Sequence, residues 1–192
     1  MMRTERLFTK EELDILRACV GQVLKSFEAV VVARDNMAWQ TVRLRFADVA
    51  VDISNKEETI CIGEDFETDD VGVLQVKRAS DEPLSIDEIE QPSCCYGVET
   101  RVCNVLCVEN GVDIFDDGKL VNSRDYVQAV VMELDDGRSL VLDKQTWFGE
   151  LLAFTLTDSW KAALRDESED WLDDEDEPST HFEFHSKAVS VL

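Results

Sequence analysis

VETRVCNVLCVENGVDIFDDG, residues 98–118, is the stretch on which the fold turns. Its first eleven residues read as a strand. Between 102 and 108, Val, Leu and Cys leave both faces mainly apolar, which fits a strand covered on both sides. Asn110-Gly111 is the strongest short hairpin signal in the chain, because both residues tolerate the left-handed backbone that tight hairpin turns require. VDIF then returns as a short strand, and Asp116-Asp117-Gly118 turns the chain again.

Working outward, the same period-two pattern recurs on both sides. FEAVVVAR (27–34), WQTVRLRF (39–46), VAVDI (49–53), TICIG (59–63) and VGVLQVKR (71–78) read as strands, with Val42, Leu44 and Phe46 on one face and Arg43 and Arg45 on the other. YVQAVVMELDDGRSLVLD (126–143) reads as a hairpin with Asp136-Gly137 at its tip, and ELLAFTL (150–156) as a further strand. Residues 40–53 and 128–142 echo each other: Val42, Leu44, Phe46, Val51 and Ile53 match Val130, Met132, Leu134, Leu140 and Leu142. Amphipathic hairpins resemble one another to this degree by chance, and if the echo is real the halves are two copies of one β-unit.

Helical signals are few. Thr9 followed by Glu12 makes a capping box, Phe8 and Leu13 supply a hydrophobic staple, and Leu13, Leu16, Val20, Val23, Leu24 and Phe27 recur at helical spacing, which predicts a helix from about 10 to about 25. Asp158 is placed to cap a short helix near 159–170, with Trp160, Leu164 and Trp171 on one side. The predicted class is therefore α+β: an N-terminal helix, then about nine or ten mainly antiparallel strands in a sheet or barrel-like meander, then the short helix near 159–170. Residues 1–165 form one α+β domain, with β-subunits 27–78 and 98–156 joined by the linker 79–97. Residues 166–180 are an acidic mobile segment, and 181–192 an edge strand or tail.

The charge is extreme. The 42 acids against 19 bases give a formal net charge of −23, which repels nucleic-acid backbones and anionic lipid. No apolar run reaches the roughly 20 residues of a membrane-spanning helix, and the charged start does not read as a signal peptide. The expectation is a cytoplasmic protein with reduced thiols, no cofactor, no direct nucleic-acid or membrane contact, and a basic protein surface as partner.

Four of the six cysteines lie between 93 and 107. Zinc needs four ligands converging at about 2 Å. Cys94 and Cys95 are adjacent and point apart on extended chain, while Cys103 and Cys107 on a strand share a face at roughly 13 Å. The favoured reading is reduced thiols acting as small core hydrophobes. A zinc site using Cys94 or Cys95 with a distant ligand, a disulfide and a Cys–His dyad are the alternatives.

His181, Glu183 and His185 fall on one face of a strand and form the alternative metal candidate. Trp147 and Phe148, beside Gly149, are either a plug at the end of a sheet or an exposed protein-binding anchor. The acidic run Asp166, Glu167, Glu169, Asp170, Asp173, Asp174, Glu175, Asp176 and Glu177 contains no base. With the acids of 64–70 and 81–90, it is the candidate partner-binding surface. Walker A, Gly-x-Gly-x-x-Gly, Gly-x-Ser-x-Gly and His-Glu-x-x-His motifs are absent. The leading reading is a non-catalytic interaction protein of inhibitor, immunity or DNA-mimic type. A metal- or thiol-dependent enzyme and a structural β-rich module of a larger assembly are the alternatives.

Overall fold

The computed structural model describes residues 2–32, 36–61, 68–80, 82–84, 93–145, 149–166, 168 and 179–192. The chain opens with a strand, β1 (Met2–Arg6), and its first helix, α1 (Lys10–Cys19), comes second. The expected N-terminal helix is thus displaced from the terminus and stops well short of residue 25. Thr9 and Glu12 form the reciprocal capping box. Gly21, at φ +83°, then turns the chain out of the helix. Val23, Leu24 and Phe27 prolonged the helical pattern only because short apolar runs satisfy both periods. In the fold they belong to a strand.

Eight strands form two antiparallel meanders of four. The first is β2 (Val23–Val31), β3 (Met37–Arg45), β4 (Ala50–Cys61) and β5 (Thr68–Arg78). The second is β6 (Cys94–Asp116), β7 (Lys119–Leu134), β8 (Ser139–Asp143) and β9 (Leu151–Thr157). β2 pairs with β6 and β3 with β9, so β7, β8, β9, β3, β2 and β6 close into a ring. A four-residue helix, α2 (Trp160–Ala163), follows β9, and β10 (Thr180–Ser190) pairs antiparallel with β6. Among the described residues only β1, beside β7, pairs in parallel, which makes the sheet mixed.

The two hairpins that echo in sequence are equivalent in register. Val42 faces Ile53 and Leu44 faces Val51 across β3–β4, while Val130 faces Leu142 and Met132 faces Leu140 across β7–β8. All eight enter one hydrophobic core with Leu16, Leu24, Phe27 and Phe154. Each such buried aliphatic contributes about 1.5–3 kcal/mol. Two residues beyond the matched positions, Asn55 and Lys144 correspond, and both are buried. Asn55 donates to Gly149 O (3.0 Å) and Leu151 O (2.9 Å) of the second meander, and Lys144 Nζ to Gly72 O (3.3 Å) of the first. The halves therefore bond each other reciprocally near Gly72 and Gly149.

Three other readings are corrected. VAVDI and the described part of TICIG, 59–61, are one strand, β4, whose polar middle is accounted for by Thr41–Ser54 hydroxyl contact and by Asn55; 62 and 63 lie outside the described residues. Asn110-Gly111 is no turn: β6 runs through it to Asp116, and the hairpin closes at Asp117 and Gly118, both at positive φ. Asp158 does not cap α2. Ser159 is the N-cap, without a side-chain bond. Trp171 lies outside the described residues.

β6 is covered on both sides around 105–108, as its composition implies, while Cys103 stays exposed. Val102, Val105 and Cys107 face the main core, while Val108 joins Ala129, Val131 and Val141 under Trp160, Ala163 and Leu164. Among the described residues no helix is long and apolar enough to cross a membrane.

Candidate functional site

The outer surface of β6, β7 and β10 gathers the polar features that core packing does not require. At its base lies a β-bulge. Val108 faces Ala129 and Glu109 faces Val127, so Gln128 has no residue opposite. At this bulge the Gln128 side chain is fully buried. Its Nε2 donates to Asp143 Oδ1 (2.7 Å), and its Oε1 accepts from Asn110 Nδ2 (2.6 Å). Asp143 Oδ2 accepts from the Arg165 backbone N–H (2.9 Å). Burial pushes the Asp143 carboxyl up, against the pull of those two bonds and of the nearby Lys144 and Arg165 charges. Lys144 extends over the Tyr126 ring, with its Nζ 4.1 Å from the centroid.

This chain floors a cleft of about 210 Å³ whose rim includes Leu164, Arg165, Asp166, Phe184 and His185. Asn110 Oδ1 is buried there without a hydrogen-bond partner among the described residues. Gln128 stands between the cleft and Asp143, so the carboxyl acts on the cleft by fixing amide orientation. Among the described residues no nucleophile meets a base in it: His185 Nε2 is turned to Asp125 Oδ1 (3.1 Å).

That His–Asp contact explains Gly111. His185, Gly111 and Asp125 stand in one row across β10, β6 and β7. A Cβ on Gly111 would lie inside the His185 imidazole and 2.9 Å from Asp125 Oδ1. The glycine gives the ring a path across the strand, and Arg3 holds the same carboxylate from β1 (3.0 Å). Two rungs away, Lys187 Nζ reaches Glu109 Oε2 (2.8 Å). His181 stacks on Phe115, and its Nε2 is 3.8 Å from Glu183 Oε1. His181 and Glu183 are thus brought together, while His185 is engaged separately. Among the described residues no group of three His, Cys, Asp or Glu side chains gathers for a metal.

Of the acidic run, Asp166 is described. It is exposed, and its Oδ1 accepts from the Ser168 N–H (3.0 Å) and hydroxyl (2.6 Å), which hold its carboxyl below the usual range. Glu167, Glu169, Asp170, Asp173, Asp174, Glu175, Asp176 and Glu177 lie outside the described residues, as do Trp147 and Phe148. The described chain resumes at Ser179, whose carbonyl accepts from the Asp117 N–H (3.1 Å) at the β6–β7 tip. Asp113 faces Glu183 across β6–β10, and Asp116 and Asp117 follow at the strand's end; among the described residues no Lys or Arg ion pair engages these four. The opposite side differs: Arg43 clamps Asp52 in a two-point bond (2.7 and 2.9 Å), and Arg45 holds Glu28.

The described cysteines carry free thiols. Cys19 and Cys107 are buried, with thiols pushed up to about 12 by desolvation, and they fit the core reading. Cys94, Cys95 and Cys103 are exposed and do not. Gln128, Asp143 and Lys144 carry no site signal in the sequence, and Asn110 reads there only as a turn residue. The only available signal was a glutamine and an Asp-Lys pair bordering otherwise apolar runs. No family model, no curated protein and no solved structure matches this chain, so the site is read from its own chemistry.

Proposed function

We propose that this protein is a non-catalytic interaction protein whose acidic β6–β10 face engages a basic protein surface. The described chain breaks off within the acidic run, beside the cleft, at Ser168 and resumes at Ser179, which is bonded to Asp117 among acids that no arginine holds among the described residues. Elsewhere the fold spends its arginines on carboxylates, at Asp52, Glu28, Glu58 and Asp136. Unneutralised acids collected on one face raise the local negative potential, which accelerates encounter with a basic partner and selects against acidic ones. Glu183 facing Asp113 across the ladder is an unfavourable like-charge pair in isolation, and a positive surface laid over it would relieve the repulsion.

The test is capture of partners from native lysate by the full chain and by a 166–177 deletion, at low and at high salt. The proposal expects captured proteins to be basic, released by salt, and lost on deletion while the far-ultraviolet spectrum is retained. An unchanged set of partners after deletion removes the acidic run from the mechanism.

A further inference from the structure

β10 is an edge strand whose outer side no other strand occupies among the described residues. Its register with β6 is unbroken from Thr180 to Ser190. Val191 N–H donates to Val105 O (3.1 Å), and Asp117 N–H donates to Ser179 O (3.1 Å). The odd-numbered residues therefore exchange bonds with β6, and the even-numbered ones, Phe184, Ser186 and Ala188 among them, turn their N–H and C=O groups outward. The strand contains no proline, and Glu183 and Lys187 are its only Asp, Glu, Lys or Arg residues. Phe184 and Val189, two of the few large apolar side chains exposed on the described chain, lie on it, 40% and 39% accessible. Edge strands in monomers are usually guarded by prolines, by inward charges or by a covering element, and this one carries no proline and, among the described residues, no further strand pairs with it.

We propose that β10 is a self-association edge, and that a second copy of this chain adds its own β10 antiparallel about a two-fold axis at His185. The sequence is self-complementary in that register. Phe184 falls opposite Ser186 of the second copy, and the reverse, so outward main-chain groups meet outward groups. Glu183 falls opposite Lys187 of the second copy, again twice, at the close-approach positions of the ladder where side chains interact most. Val189 falls opposite His181 of the second copy, and the two Phe184 rings become diagonal neighbours. Moving the axis by one residue puts Lys187 opposite His181 or His185 instead, so charge selects this register. The like-charge contact of Glu183 with Asp113 then has a cation beside it, and Lys187 sits between its own Glu109 and Glu183 of the second copy. This inference stands apart from the basic-partner proposal, since it concerns the strand edge and a partner as acidic as the chain itself.

Sedimentation equilibrium of the full chain tests it, with the single variants Glu183→Lys and Lys187→Glu. The wild type is expected to be dimeric at high concentration. Each single variant sets like charges opposite twice and should weaken the dimer by about tenfold or more. An equimolar mixture of the two variants, which restores both opposite-charge rungs, should recover the dimer. Ser186→Pro should be monomeric with an unchanged circular dichroism spectrum, because that N–H turns away from β6. A wild type that stays monomeric at every concentration overturns the proposal. So does a dimer indifferent to the single substitutions, or a mixture that fails to recover it.

Discussion

Replacing Gly72 with alanine drives a methyl group into the place where the two meanders bond each other. The new Cβ would stand 2.7 Å from Asn55 Oδ1 and closer still to the Gly149 carbonyl oxygen. Neither neighbour can simply rotate away. Gly149 O is backbone, and the Asn55 amide is pinned by its bonds to Gly149 O and Leu151 O. Overpacking of this kind costs about 1–3 kcal/mol. Displacing Asn55 adds about 1 kcal/mol for each of its bonds lost. A total of about 3 kcal/mol corresponds, for a chain of this size, to a melting temperature lowered by roughly 6–12 °C. Gly97→Ala is the matched control, because its Cβ meets nothing within 4 Å and should shift stability by less than about 0.5 kcal/mol. Thermal unfolding followed by circular dichroism reads both. Equal melting temperatures for the two variants would refute the reciprocal seam.

The remaining predictions concern titration and thiols. In native protein, alkylation followed by mass spectrometry should modify Cys94, Cys95 and Cys103 rapidly and leave Cys19 and Cys107 protected until unfolding. Labelling of Cys107 as fast as Cys103 would contradict the two-sided burial of β6. Because burial raises the Asp143 carboxyl, the native state holds its proton more tightly than the unfolded chain. The stabilising contribution is present at low pH and is lost as pH rises through the raised value. Asp143→Asn does not titrate, so its stability relative to wild type should improve as pH rises from the ordinary Asp range, about 4, through the raised value of Asp143 in denaturant titrations. A difference that stays flat across that range would count against the buried carboxyl.

What the sequence revealed was local, and what it concealed was set at long range. Asp117-Gly118 and Asp136-Gly137 turn the chain because their backbone demands are met within two residues, and the Thr9–Glu12 cap closes over three. Gly111 carried the same local signature, but its role is fixed by His185 on a distant strand, so a glycine needed for clearance imitated one needed for a turn. The apolar faces of β6 announced two-sided cover without saying that α2 supplies one side. The bulge at Gln128 had no local mark, since a glutamine in an apolar strand looks the same whether it faces solvent or a buried carboxyl. Likewise nothing in VLDK signalled that Lys144 would be fully buried. Its environment is made by Tyr126 and the Gly72 carbonyl, which the closure of the sheet brings to it.

The account rests most heavily on where the negative charge sits, and a comparison at constant net charge tests that directly. One variant replaces the nine acids of 166–177 with Asn and Gln, and the other replaces nine acids remote from the β6–β10 face. Association rates with an immobilised protein of pI above about 9 are then measured at low salt. The account predicts that the first variant loses most of its association rate and the second keeps it. Equal losses in the two would show that total charge, and not this face, governs recognition.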